Sequence, residues 1–168
     1  SLILTKPLAS DGSQDGNYLL QVTAKDQAGN MSKVFEYGFV YDTRPPVIDI
    51  AGLTLNEQPL ILDANDPDYP SVAGRGASVS ITTKMSDAGQ GVDLARSSIL
   101  VRSPSGNTVA GDVVHDGVDQ VAFKSAGLLT DEGMYKITIT SVGLDPEKLG
   151  FQPATTLTTE FLYEVAPP

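Results

Sequence analysis

The sequence predicts an all-β protein, an antiparallel sandwich or barrel, on three observations. Period-two alternation of apolar and polar residues recurs in short runs, those runs end at clusters of Gly, Pro, Asp and Asn, and helical periodicity is nearly absent. The first run puts Tyr18, Leu20, Val22 and Ala24 on one face and Leu19, Gln21, Thr23 and Lys25 on the other. The second puts Phe35, Tyr37, Phe39 and Tyr41 against Val34, Glu36, Gly38 and Val40. Two more follow, Val79, Ile81, Thr83 and Met85 against Ser80, Thr82 and Lys84, and Tyr135, Ile137 and Ile139 against Lys136, Thr138 and Thr140. Faces divided in this way suit antiparallel strands buried on one side.

Composition narrows the function. The 168 residues are 40% hydrophobic and 19% charged, as in a globular domain, and carry a net charge of −10. Nucleic acid is therefore not an expected partner, because phosphate binding needs a basic surface. There is no cysteine, which removes disulfides, thiolate metal sites and a cysteine nucleophile. No run approaches the ~18 apolar residues of a membrane span, so membrane insertion by this chain is not expected. The first residues lack the basic and apolar regions of a signal peptide, and any export signal is expected outside the chain.

An internal repeat organises the sequence. Asp15-Gly16-Asn17-Tyr18 and its alternating strand recur as Glu132-Gly133-Met134-Tyr135 and another strand, at an offset of 117. Phe39-Val40-Tyr41 with Pro45-Pro46 recurs as Phe161-Leu162-Tyr163 with Pro167-Pro168, at an offset of 122. The five-residue difference falls where the short Asp26-Gln27-Ala28-Gly29-Asn30 turn is replaced by the longer segment 145–153. Insertions belong in connecting loops. Residues 47–168 then form one complete unit, 45–46 a Pro-Pro linker, and 1–44 the last part of a preceding unit. That part is expected to hold three strands, near Leu2–Leu8, Asn17–Lys25 and Val34–Tyr41, with no second sheet to pack on. A piece of this size is marginal alone.

The stretch from Asp15 to Asn30, followed by Phe39-Val40-Tyr41-Asp42-Thr43-Arg44-Pro45-Pro46, resembles the end of a bacterial immunoglobulin-like (Big-type) repeat. Ser86-Asp87-Ala88-Gly89-Gln90-Gly91-Val92-Asp93 resembles the family's loop after the second strand. The second unit departs from the pattern, lacking the Asp-x-Ala-Gly-Asn turn and the Asp-Thr before its prolines. The resemblance implies an immunoglobulin-like antiparallel β-sandwich, one complete unit preceded by a partial one. It also implies a non-catalytic spacer in a tandem array on an extracellular or cell-surface bacterial protein of adhesin type, presenting a distal module. Its expected partners are neighbouring repeats of the same polypeptide and, through the partial unit's strand edges, another chain.

The motif residues have physical roles of their own. Asp131-Glu132-Gly133-Met134-Tyr135 has the spacing of a tyrosine corner, whose ring packs inward while its hydroxyl bonds the preceding loop backbone. Tyr18 should do the same, although Gln14 stands where the Asp would be. Pro45 and Pro46 fix φ and remove two backbone donors, so a sheet cannot continue through them and bending at the junction is limited.

Candidate chemistry is sparse. Ser-His-Asp catalysis would have to use His115, which reads as an exposed loop histidine without a Gly-x-Ser-x-Gly elbow, and no two carboxylates are placed across a cleft. The chain is not expected to be an enzyme. No cofactor is required by the sequence, and calcium is the one candidate, because hard cations take several oxygen ligands in a loop. Asp63, Asp66 and Asp68, with Asn65, lead the candidates, ahead of Asp26 with Asn30 and Asp42, and Asp87 with Asp93. The alternative function, a carbohydrate-binding accessory module of a secreted hydrolase, would rest on Tyr69 and Phe151, the aromatics outside the alternating faces.

Overall fold

The computed structural model describes residues 6–63, 65, 71–73, 77–145 and 153–165, with the backbone alone at 71–73. These residues are all β, in antiparallel sheets joined by turns, with no helix among them. Two strands, β1 (Gly16–Val22) and β2 (Phe35–Tyr41), form a hairpin that pairs with no other described strand. Residues 6–8 carry no strand, so of the three expected in the partial unit two are seen and the rest of the first lies outside the described residues. The hairpin connection closes where Asp26 N donates to Asn30 O at 3.0 Å and Asn30 N to Asp26 Oδ1 at 2.8 Å. Gly29 supplies the left-handed residue, φ +94°, that this turn requires.

The remaining described strands begin at Val47, where the second unit is expected to start. They are β3 (Val47–Ile48), β4 (Thr54–Leu55), β5 (Gln58–Pro59), β6 (Ser71–Ala73), β7 (Ser80–Ser86) and β8 (Ser98–Arg102), then β9 (Gly111–His115), β10 (Gln120–Ser125), β11 (Gly133–Val142) and β12 (Ala154–Glu164). One sheet runs β5-β4-β7-β10-β9, with β3 also on β7; the other runs β6-β12-β11-β8. Every pairing is antiparallel except β6 with β12.

Both sheets send side chains into one core, a sandwich-like arrangement. Ile48, Leu55, Val79, Ile81, Met85, Val121 and Phe123 come from the first side, and Ile99, Val101, Tyr135, Ile137, Ile139, Phe161 and Tyr163 from the second. The alternation of β7 and β11 is obeyed: Val79, Ile81, Thr83 and Met85 are buried, as are Tyr135, Ile137 and Ile139. Thr83 is accommodated because its hydroxyl donates to Asp49 O at 3.0 Å. Edge strand β9 approaches β10 closely at Gly111, where a Cβ would lie 2.5 Å from Lys124 O and from the Phe123 ring. Any side chain there would force the edge away from the core.

The alternation is kept in β1, where Gly16, Tyr18 and Leu20 are half-buried and Asn17, Leu19 and Gln21 exposed, but it is lost in β2 and the expected core face is nowhere fully buried. Phe35 is 62% and Tyr37 44% exposed, although both lie on the face expected to be the core face. No described strand lies over it. His115 also differs from expectation: it is half-buried on the last position of β9, where its partner is Val121, and is not an exposed loop residue.

Candidate functional site

The densest polar arrangement lies where the hairpin meets the sandwich. Asp15, one residue before β1, reaches across the hairpin end to the chain leaving β2. Its Oδ1 accepts from Thr43 N at 3.0 Å and Thr43 Oγ1 at 2.9 Å, and its Oδ2 accepts from Arg44 Nε at 3.0 Å. Burial alone would push this carboxyl up, but the Thr43 hydroxyl and amide and the Arg44 guanidinium outweigh it and hold Asp15 below the usual carboxylate range. The clamp recurs in the second unit, where Glu132 Oε1 accepts from Val165 N at 2.8 Å. Glu132 and Val165 stand at offsets of 117 and 122 from Asp15 and Thr43, the same offsets as the repeat.

Asp42, buried at the end of β2, links the two units. Its Oδ1 accepts from Arg44 N at 3.2 Å and its Oδ2 from Gln90 N at 2.9 Å. Gln90 returns the contact, donating from Nε2 to Val40 O at 2.7 Å. Gly89 makes the approach feasible, since a Cβ there would lie 2.0 Å from Asp42 Oδ2. Asp87 folds the same loop: its Oδ1 accepts from Gly89 N at 2.7 Å and Gly91 N at 3.3 Å. Burial is the main influence pushing the Asp87 carboxyl up, and the nearby Asp42 carboxylate adds to it against those amides. Past the link, Pro45 is exposed and Pro46 buried, with Thr155 Oγ1 donating to Pro46 O. The pairings Val47↔Ser86 and Ile48↔Met85 then start the sandwich.

Both tyrosine hydroxyls reach the loop four residues back. Tyr18 Oη donates to Gln14 O at 2.6 Å, whereas Tyr135 Oη accepts from Asp131 N at 3.3 Å. Burial pushes the Tyr135 phenol up, which favours its neutral form. Tyr163, which the repeat matched to Tyr41 but to which no role was given, is fully buried and donates to Leu129 O at 3.2 Å. Its alternating position opposite Gly133 was the available signal.

The calcium candidates separate. Asp63 Oδ1 accepts from Asn65 N at 2.9 Å and from Asn65 Nδ2 at 3.1 Å, an Asx turn, while Asp66 and Asp68 lie outside the described residues. Asp26 and Asn30 bond each other at one end of the hairpin, and Asp42 sits at the other, seven ladder pairs away, so these three do not converge. Asp93 Oδ1 accepts from Arg96 N at 3.2 Å, and Asp87 faces Asp42 instead. Among the described residues, no three His, Asp or Glu are grouped to hold a metal ion. Tyr69 and Phe151 lie outside the described residues.

A hollow of about 300 Å³ opens beside Tyr135, between the 103–110 and 127–131 loops. Its polar lining is internally satisfied: Ser105 Oγ donates to Asp131 Oδ2 at 2.8 Å and Asn107 Nδ2 to Ser105 Oγ at 3.1 Å. No described helix is long and apolar enough to cross a membrane. No protein-family model matches the chain, and no curated protein or solved structure is significantly similar to it.

Proposed function

We propose that the chain is part of an immunoglobulin-like tandem repeat whose work is mechanical, a non-catalytic spacer of an extracellular bacterial surface protein that holds a distal module at a distance. The observation that carries this reading is the recurrence of one carboxylate clamp, beside a direct fastening of the first clamped exit to the strands that follow. Asp15 clamps the exit of β2 as Glu132 clamps the exit of β12, and Asp42 then fastens that exit to a loop of the following unit. A chain whose modules end alike and engage the next through backbone amides suits serial stacking.

Strand order supports the immunoglobulin-like assignment. A sheet β4-β7-β10-β9 facing a sheet β12-β11-β8 follows the ABED and GFC orders of that fold, with Tyr135 at the start of the strand equivalent to F. Neighbouring repeats of the same polypeptide are the principal partners on this reading. The hairpin's apolar face and strand edges offer a second contact, with a sheet from another unit or another chain.

A glycan array combined with small-angle scattering tests the proposal. A spacer gives an elongated particle and no saccharide binding. Saturable binding of a polysaccharide would overturn it in favour of an accessory carbohydrate-binding module.

A further inference from the structure

Two carboxylates from opposite sides of the joint converge on three successive backbone amides. Asp87 takes those of Gly89 and Gly91, and Asp42, from the hairpin, takes that of Gln90 between them. We propose that Asp42 and Asp87 form a proton-operated latch, which fixes the hairpin against the sandwich when the pair shares a proton and lets it swing about Arg44-Pro45 when both are ionised. This goes beyond the spacer reading and does not depend on it, since it rests only on the geometry of the joint.

The physical argument starts from charge. Two ionised carboxylates held close together repel, and partial burial strengthens the repulsion. A single proton converts it into an O–H···O⁻ hydrogen bond, among the stronger kinds available. Protonated Asp87 donates to the Asp42 carboxylate, and Asp42 keeps its bond from Gln90 N. When that proton leaves to water, the hydrogen bond is lost and like charges face each other across the joint. Other charged groups stand on the same segments on both sides of the joint. From the hairpin come Asp15 and Arg44, which bond each other at 3.0 Å. From the sandwich come Asp93, which caps Arg96 N, Arg96 itself, and Asp145, which follows Leu144, the residue whose N–H donates to Gly91 O at 2.9 Å. Two bonds between the hairpin and the sandwich do not depend on this proton, Gln90 N to Asp42 Oδ2 and Gln90 Nε2 to Val40 O, and Thr155 Oγ1 to Pro46 O lies on the sandwich side of the Arg44-Pro45 pivot.

The test is nitrogen-15 relaxation on the whole chain between pH 3.5 and 8, reading the order of the β1–β2 amides in the frame of the sandwich. At the acidic end the hairpin should tumble with the sandwich, with order parameters near ~0.85, and at pH 8 they should fall below ~0.6. Asp87→Asn should hold the hairpin fixed across the range, because the amide oxygen still accepts from Gly89 and Gly91 while its NH₂ donates to Asp42. Asp42→Ala should leave it mobile at every pH, with Tyr18–Phe39 cross-strand contacts showing that the hairpin itself stays folded. If Asp42→Ala loses the hairpin, Asp87→Asn decides alone. A wild-type hairpin whose order does not change with pH, or an Asp87→Asn protein that titrates like the wild type, would overturn the proposal.

Discussion

The hairpins β1–β2 and β11–β12 are built on one plan and differ in what lies over them. In each, a Gly stands opposite a Tyr and a Tyr opposite a Phe, as Gly16↔Tyr41 and Tyr18↔Phe39 in one and Gly133↔Tyr163 and Tyr135↔Phe161 in the other. The rings stack alike, 5.4 Å apart at 15° for Tyr18–Phe39 and 5.2 Å at 17° for Tyr135–Phe161, each with a second tyrosine edge-on. Tyr135 and Phe161 are nevertheless fully buried, whereas Tyr18 and Phe39 are half-exposed. Register and ring geometry are thus set locally by cross-strand pairing. Burial is set by the opposite sheet, which the second hairpin has and, among the described residues, the first lacks.

This comparison can be broken most forcefully at the phenylalanines. Phe161→Ala should cost about 3–5 kcal/mol, because it removes a buried ring and leaves a cavity between two sheets. Phe39→Ala should cost well under half of that, since part of its surface is already in water. Urea denaturation followed through the sandwich core, beside hydrogen exchange of the hairpin amides, checks both; equal effects would mean that the two faces are equally covered. Next come the hydroxyls. Tyr163→Phe should cost about 1–3 kcal/mol, because it strands the buried carbonyl of Leu129. Tyr135→Phe should cost roughly 1 kcal/mol through the bond from Asp131 N, and an unchanged denaturation midpoint would remove that role. Smaller still on stability is the double change Phe35→Ser with Tyr37→Ser. It should leave the sandwich's melting temperature within about 1 °C, since a surface change of a few tenths of a kcal/mol moves it no further. It should also abolish binding of a hydrophobic dye, if the exposed hairpin face is where such a dye binds.

How much of this was legible in the sequence differs between the same two regions. Alternation identified β7 and β11 with their buried faces, and the repeat placed Tyr18 and Tyr135 at equivalent positions. It could not tell a covered face from an open one, because Phe35-Glu36-Tyr37-Gly38-Phe39 has the same period whether or not a sheet lies above it. The joint was legible only in parts. Asp42 stood out as an oxygen donor but was grouped with Asp26 and Asn30, which a seven-pair ladder carries to the far end of the hairpin. Its real partner, Gln90, is 48 residues away and donates a backbone N–H, a group that leaves no mark in the choice of side chain. Gly89 was the only trace, read as a loop glycine when its missing Cβ makes room for Asp42.

The smallest expected effect is also the one whose sign divides the joint. Asp15 is held below the ordinary carboxylate range, so its contribution is present above the unfolded value near 3.8 and is lost as pH falls through the lower folded value. Asp87 is pushed up, so its effect runs the other way: stability is greatest while it is protonated and declines as pH rises from about 3.8 through its folded value. The two therefore pull the hairpin end in opposite directions over adjoining pH windows. Asp15→Asn should flatten the loss of hairpin protection below pH 4 and leave the neutral side unchanged, whereas Asp87→Asn should flatten the decline above pH 4 and leave the acid side unchanged. Hydrogen exchange at the amides of Thr43 and Gln90, followed across both windows, reads each limb separately. The same limb responding to both substitutions would mean that the two carboxylates titrate as one cluster and not as a clamp and a latch.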